Sequence, residues 1–182
     1  MKTFGRVLTA MITSFNEDGS VNIENSVAIA EHLLNHGSDG LVVCGTTGEN
    51  PTMSRESKIA LFKAIAKACG DKGTIIANVG SNDTKGSVDF VKEVSAIPGI
   101  DGLLVVVPYY NKPNQQGQYL HFKSIAEATT LPIMVYNVPG RVGTGIFPAT
   151  LARLHKEYPH ICAIKEASGN LMIASEIKRL MP

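Results

Sequence analysis

Apolar and polar positions divide this chain into two kinds of segment that follow one another in turn. Six short runs, rich in Val, Ile and Leu, predict strands that begin near Val7, Gly40, Thr74, Gly102, Pro132 and Ile161. The intervening segments repeat apolar residues every three or four positions and predict helices at about 23–36, 54–69, 84–96, 117–128, 148–158 and 171–180. Because polar residues do not alternate within the strands, we expect a parallel sheet with helices on both faces.

Residues at the helix ends support these bounds. Asn22 is suited to cap the first helix, since its side chain can accept a hydrogen bond from a free backbone N–H. Gly37 is expected to end that helix, and Gly70 is expected to end the second one.

The strand–helix unit occurs six times, about every 30 residues, without a linker between units. We therefore expect residues 1–182 to form a single α/β domain. Six units would complete an open doubly wound sheet but would leave a (β/α)8 barrel two units short. The periodicity does not distinguish these folds, and both place reactive groups at the carboxyl ends of the strands.

Composition and charge exclude several classes of function. The 182 residues include 17 basic and 16 acidic side chains, a net charge of +1, which gives no general attraction to nucleic acid or an anionic membrane. Neither a signal-peptide apolar region nor an apolar run of membrane-spanning length is found. We therefore expect a cytoplasmic protein.

The cysteines and histidines do not form a metal-binding pattern. The three cysteines are widely separated, and no pair of the five histidines has ligand spacing at a strand end. We expect reduced thiols and a mechanism without a metal. Cys44 and Cys162 lie in strand-like runs, so we expect both to be buried as small apolar residues.

Lys165 is the first candidate for chemistry. It stands at the end of the last apolar run, directly before polar and small residues. An ammonium near an apolar interior loses hydration, which favours the neutral amine. A neutral lysine can form a Schiff base with a carbonyl substrate. The alternative is a lysine that simply reaches solvent beyond the strand.

Other polar groups are expected at the same strand ends. Gly45–Gly48, with Thr46 and Thr47 between the glycines, could bind a small carboxylate through backbone N–H groups or be an ordinary turn. Tyr136 lies at a depth in its strand equivalent to that of Lys165. It could transfer protons or pack in the core.

Two further strand ends carry a guanidinium and paired phenols. Arg141 follows Pro139 and Gly140 and could bind a carboxylate through two hydrogen bonds, or it could be a surface arginine. Tyr109 and Tyr110 are adjacent, so at most one is expected to point inward. The other could pack on a helix or at a subunit contact.

Together these motifs resemble the dihydrodipicolinate synthase family, within the pyruvate-dependent class I aldolases. The matching stretches are Gly45–Glu49 (GTTGE), Pro108–Asn111 (PYYN), Tyr136–Arg141 (YNVPGR) and Ile164–Ala167 (IKEA). The resemblance extends over essentially the whole chain. The double threonine and Arg141 favour the synthase over the N-acetylneuraminate lyase branch.

The resemblance implies a TIM (β/α)8-barrel fold, with about six βα units present in this chain. It also implies condensation of pyruvate with aspartate-4-semialdehyde in lysine and diaminopimelate biosynthesis. Lys165 would form the pyruvate Schiff base, so no separate cofactor is expected. Tyr136 would transfer protons in a relay with Thr47 and Tyr110.

The resemblance further implies the substrate contacts and the assembly. Thr46 and Thr47 would hold the pyruvate carboxylate, and Arg141 would bind the carboxylate of the semialdehyde. Tyr110 would reach the active site of a neighbouring subunit, which implies a homo-oligomer, either a dimer or a tetramer. No nucleic-acid or membrane partner is implied.

Two departures from the family pattern leave alternatives open. The family's last two βα units and C-terminal helical region are absent after Pro182. The alternatives are another pyruvate-dependent aldolase, of N-acetylneuraminate lyase or 2-keto-3-deoxy acid aldolase type, and a truncated non-catalytic oligomerising paralogue.

The second departure concerns the family's lysine-feedback site, which lies near Asn82 and the segment after GTTGE. Arg55 and Lys58 in that segment would repel a lysine ligand, so we expect no feedback inhibition by lysine.

Overall fold

The computed structural model describes residues 4–181 and contains the six expected strand–helix units. The strands are β1 (Leu8–Ala10), β2 (Gly40–Val43), β3 (Thr74–Asn78), β4 (Gly102–Val106), β5 (Ile133–Asn137) and β6 (Ile161–Glu166). The helices are α1 (Ile23–Asn35), α2 (Arg55–Cys69), α3 (Thr84–Ser95), α4 (Gln115–Ala126), α5 (Pro139–Val142), α6 (Pro148–Glu157) and α7 (Leu171–Leu180).

The order of the strands in the sheet decides between the two candidate folds. The sheet runs β1-β2-β3-β4-β5-β6, and the pairs β1/β2, β2/β3 and β5/β6 are parallel. A doubly wound sheet reverses its strand order at a switch point, whereas a barrel keeps the order of the chain. The fold is therefore of the (β/α)8-barrel type, with six βα units in this chain.

The helix ends confirm the predicted caps. The side chain of Asn22 accepts a hydrogen bond of 2.9 Å from the backbone N–H of Asn25. Gly37 follows α1 with a φ of +102°, a conformation that glycine adopts without steric cost. Gly70 caps α2 and donates its N–H to the carbonyl of Ala66 over 3.0 Å.

The short helix α5 was not predicted. Proline is favoured at the first position of a helix because its missing N–H would have no partner there. Pro139 supplies that position, and Gly143 ends the helix with a φ of +74°. A single turn of helix is too short to produce an apolar period, so the sequence pattern indicated only a turn.

The described residues belong to two compact units. The first comprises the chain up to Asn78 together with Glu93–Leu103, and the second comprises Val79–Lys92 together with the chain from Leu104 onward. Each unit contains completely buried strands: β2 and β3 in the first, and β5 in the second. The prediction of a single domain remains a prediction.

The position of β6 at the edge of the sheet explains why the predicted burial of Cys162 is wrong. Cys44 and Cys69 are buried, but Cys162 is exposed on β6. Within residues 4–181, β6 is the last strand of the sheet and only its first residue, Ile161, is buried. A strand at the edge of the sheet has less cover, so an apolar run alone did not guarantee burial of Cys162.

Candidate active site

Lys165 lies near the end of β6, where the apolar run gives way to polar residues. The strand stops at Glu166, and Gly169 adopts a φ of +75° in the following turn. The Lys165 side chain is half-buried, and its desolvation lowers the pKa of the amine. Within residues 4–181, Lys165 forms no ion pair. The environment therefore favours the neutral amine that a Schiff base requires.

Tyr136 lies directly beside this amine. It is opposite Lys165 in the β5/β6 register, and the Lys165 Nζ lies 4.6 Å from the centre of the Tyr136 ring. The residue is 7% exposed, and its hydroxyl has no hydrogen-bond partner among the described residues. The structure thus brings together the predicted nucleophile and the predicted proton-transfer group, and it leaves the phenol free for a substrate.

The Gly45–Gly48 motif forms a tight turn after β2 in the first unit. The N–H of Gly48 donates to the carbonyl of Gly45 over 3.1 Å, and Thr13 Oγ1 donates to the carbonyl of Gly48 over 2.8 Å. Thr46 and Thr47 are exposed, and their backbone N–H groups have no partner among the described residues. The turn can therefore offer hydroxyls and amides to a small anion, and the binding of such an anion remains a prediction. A shared site with Lys165 remains a prediction.

Tyr110 occupies a strained position after β4 in the second unit. Its φ is +71°, a value that is uncommon for residues other than glycine. Its side chain is 88% exposed, whereas the Tyr109 side chain is only partly exposed. The side chain does not pack within the unit, so its role in a relay and at a subunit contact remains a prediction.

Arg141 lies in α5, which follows β5. The guanidinium is exposed and has no ion-pair partner among residues 4–181. A side chain at Gly143 would meet the Lys112 Cε atom at 2.6 Å, so the lysine stem lies against this glycine. The loops after β4 and β5 therefore carry two cations, suited to an anionic substrate. Lys112 directly follows the PYYN motif but was not among the candidates predicted from the sequence.

Glu166 and Asn137 connect the ends of β6 and β5. The Asn137 Nδ2 donates to Glu166 Oε2 over 2.7 Å. The sequence analysis assigned no role to Asn137. Asn137 belongs to the YNVPGR motif, but its partner Glu166 lies 29 positions further along the chain.

The two cations expected to repel lysine have different environments in the first unit. Arg55 forms an ion pair with Glu93, with its Nε and a terminal nitrogen 2.8 and 2.7 Å from one carboxylate oxygen. Lys58 is half-buried, and burial lowers its pKa. The charge of Arg55 is thus offset, and insensitivity to lysine remains a prediction.

Two other kinds of feature are absent from residues 4–181. No group of three His, Cys, Asp or Glu residues could hold a metal ion in that part of the chain. No described helix is long and apolar enough to cross a membrane.

Sequence comparison identifies the family. A profile of the Dihydrodipicolinate synthetase family matches residues 3–182. The chain belongs to this family. It is 51% identical over 179 residues to the 4-hydroxy-tetrahydrodipicolinate synthase of Desulforamulus reducens, covering 98% of this chain and 60% of that protein. The chain thus spans about three fifths of the length of such curated relatives.

Solved structures of the family have the same fold over this part of their chains. The dihydrodipicolinate synthase of Bacillus anthracis superposes with a TM-score of 0.96 at 41% identity, covering 100% of this chain and 62% of that one. The enzyme from Cyanidioschyzon merolae, solved with lysine bound, gives a TM-score of 0.94 at 43% identity, covering 98% and 61%. These matches confirm the predicted family and its barrel-type fold.

Proposed function

We propose that this chain carries the Schiff-base centre of a 4-hydroxy-tetrahydrodipicolinate synthase, which condenses pyruvate with aspartate-4-semialdehyde in lysine and diaminopimelate biosynthesis. The half-buried Lys165 amine, 4.6 Å from the centre of the Tyr136 ring, is the observation that carries the proposal. The names of the relatives at about 50% identity support this choice of substrates.

The proposed chemistry uses lysine as the only covalent group. The neutral Lys165 amine attacks the ketone of pyruvate, and loss of water leaves an imine. Removal of a methyl proton gives an enamine, whose carbon attacks the aldehyde of the second substrate. The amino group of that substrate then displaces Lys165 and closes the ring. Tyr136 transfers protons in these steps.

The remaining candidate residues would bind and orient the substrates. Thr46 and Thr47 hold the pyruvate carboxylate, and Thr47 and Tyr110 extend the proton relay from Tyr136. Arg141 binds the carboxylate of the semialdehyde through its planar guanidinium. We propose a cytoplasmic homo-oligomer with no separate cofactor, in which Tyr110 serves a neighbouring subunit.

Trapping with borohydride tests the proposal. The protein is incubated with pyruvate, reduced, digested and mapped by mass spectrometry. We expect the adduct on Lys165 and its complete loss in Lys165→Met. Lys58 is an internal control, because it is also half-buried with a pKa lowered by desolvation, yet belongs to a different environment.

The pattern of labelling decides between the alternatives. Labelling of Lys165 with turnover of aspartate-4-semialdehyde supports the synthase. Labelling with cleavage of sugar acids would instead indicate another pyruvate-dependent aldolase. A folded, oligomeric protein that gives no adduct, or equal labelling of Lys58 and Lys165, would contradict the proposal and favour a non-catalytic paralogue.

A further inference from the structure

β6 pairs with β5 in two registers that differ by one residue. At the start of the pair, Ile133 is opposite Ile161, whereas the next residue, Met134, is opposite Ala163. Cys162 is therefore an extra residue in β6, as in a β-bulge. Bulges change the direction in which the following side chains point, and they are frequent beside active sites.

The shift of register determines which face carries Lys165. In the observed register Lys165 is opposite Tyr136. If the initial register continued to the strand end, Lys165 would instead be opposite Asn137. Adjacent residues of a strand point to opposite faces, so that slip would turn the Lys165 amine away from the Tyr136 ring.

Hydrogen bonds at the carboxyl ends of β5 and β6 stabilise the shifted register. Asn137 is 1% exposed, its Nδ2 donates to Glu166 Oε2 over 2.7 Å, and its carbonyl accepts the N–H of Ala167 over 2.8 Å. Its Oδ1 accepts the N–H of Ile146 over 3.1 Å. The other Glu166 oxygen accepts the N–H of Ser168 over 2.7 Å.

This network is well suited to define one register. Its bond between an amide and a carboxylate is charge-assisted and short, and such bonds are stronger than neutral ones. It also fixes the loop that follows Arg141, because Ile146 belongs to that loop. A slip by one residue would leave the buried Asn137 amide without its partner, which is costly.

We propose that Asn137 and Glu166 are positioning residues: from the face opposite Lys165, their hydrogen bond locks the shifted β5/β6 register and holds the Lys165 amine beside Tyr136. This inference rests on the proposed function, which gives Lys165 the Schiff base. Neither side chain touches the reacting atoms, and both act through the strand that carries the nucleophile.

Exchanging the partners provides a sharp test. Asn137→Asp removes the donor and places two carboxylates together, and Glu166→Gln removes the charge from the bond. The double variant Asn137→Asp/Glu166→Gln restores a charge-assisted hydrogen bond with donor and acceptor exchanged. The new amide on β6 can donate to the new carboxylate on β5, and its oxygen can still accept the N–H of Ser168. Glu157→Gln is the matched control, since it alters a carboxylate that binds Tyr119 at a different place in the same unit.

Two measurements are made on each variant. One is the rate of pyruvate trapping at Lys165. The other is the pKa of Lys165 from competitive acetylation across a pH series, which needs no substrate. Circular dichroism shows whether each variant is folded. Glu166→Gln, which keeps one acceptor oxygen at residue 166, serves if Asn137→Asp does not fold.

The expected result is slower trapping in the single variants and recovery in the double variant. A return of the Lys165 pKa toward its ordinary value reduces the fraction of reactive amine at neutral pH, and with it the trapping rate. We expect trapping to slow at least about tenfold in Asn137→Asp, because misplacing a reacting group by about 1 Å can cost about 10²-fold, and we expect no change in Glu157→Gln. Single variants with the parental trapping rate and Lys165 pKa would overturn the inference, as would a double variant no better than the weaker single one.

The acetylation measurement separates this inference from the proposed function. If the parent protein gives no pyruvate adduct, the proposed function fails. The positioning role still stands in that case if the Lys165 pKa rises in Glu166→Gln, where loss of a carboxylate would by itself lower it, and returns to the parental value in the double variant. An unchanged pKa together with normal pyruvate trapping in the parent would reject the positioning role alone.

Discussion

β5 and β6 are neighbouring strands of the second unit that carry adjacent parts of the candidate site, yet their environments differ. All five residues of β5 are buried, and Tyr136 at its end is held in the core. In β6 only Ile161 is buried, and Lys165 is half-buried. The proposed proton-transfer group is therefore on the better covered strand, and the proposed nucleophile is on the outer one.

This difference shows that the strand register decides where the Lys165 amine points, and the cover over β6 decides how far the amine is desolvated there. The position of Lys165 comes from pairing with β5 and from the Asn137–Glu166 bond, both of which lie within the second unit. Its pKa is lowered by burial alone, and β6 supplies only part of that burial. We therefore expect further cover over β6 to lower the Lys165 pKa more.

The largest expected effect concerns the end of β5. Tyr136→Phe keeps the ring beside Lys165 but removes the hydroxyl. Loss of general acid–base catalysis costs about 10²–10⁴-fold in rate, so condensation should fall by that factor while the pyruvate adduct at Lys165 still forms. Pyruvate consumption measures the loss, with Tyr158→Phe as the control. Unchanged turnover would remove Tyr136 from the relay.

Matched substitutions in the two strands compare their packing. Ile133→Ala in β5 removes a fully buried side chain and should lower the free energy of unfolding by about 2–5 kcal/mol. Ile164→Ala in β6 removes a half-buried one and should cost about 1 kcal/mol. Urea unfolding gives both values. Equal losses would mean that β6 is as well packed as β5.

Acid should destabilise the helix that precedes β5. Burial of His121 in α4 lowers its pKa from 6.5 to about 4, and its Nδ1 lies 2.8 Å from Thr84 Oγ1. Its Nε2 is buried without a partner. Because unfolded His121 binds a proton first, stability should fall by about 3 kcal/mol as the pH drops from 6.5 to about 4, and this contribution should then level off.

The acid effect can be assigned to one residue. Unfolding of the parent and of His121→Leu is measured across this pH range, and the difference in unfolding free energy between them should change with pH. A constant difference would show that His121 does not carry the effect.

The smallest expected effect is a difference in thiol labelling. Cys162 on β6 is exposed, whereas burial raises the pKa of Cys44 to about 12. A maleimide should label Cys162 first. The reaction should be slower than with free cysteine, because partial desolvation also raises the Cys162 pKa. Mass spectrometry of the parent and of Cys162→Ser checks this, and earlier labelling of Cys44 or Cys69 would contradict it.

The sequence by itself determined the secondary-structure elements and the family. Apolar periodicity predicted all six strands, and helix caps such as Asn22 and Gly37 were readable because they depend on residues only a few positions apart. The motif containing Lys165 also indicated the family correctly. These signals depend on residues that are close together in the chain, so they can be recognised without knowledge of the fold.

Only the tertiary structure decided the strand order, the exposure of Cys162 and the register that brings Lys165 to Tyr136. The sequence left open whether Lys165 simply reaches solvent, and it assigned no role to Asn137. The bond from Asn137 to Glu166 spans 29 positions along the chain. A one-residue slip would preserve every apolar run yet turn Lys165 to the other face. Register therefore depends on contacts between distant residues, which local periodicity does not encode.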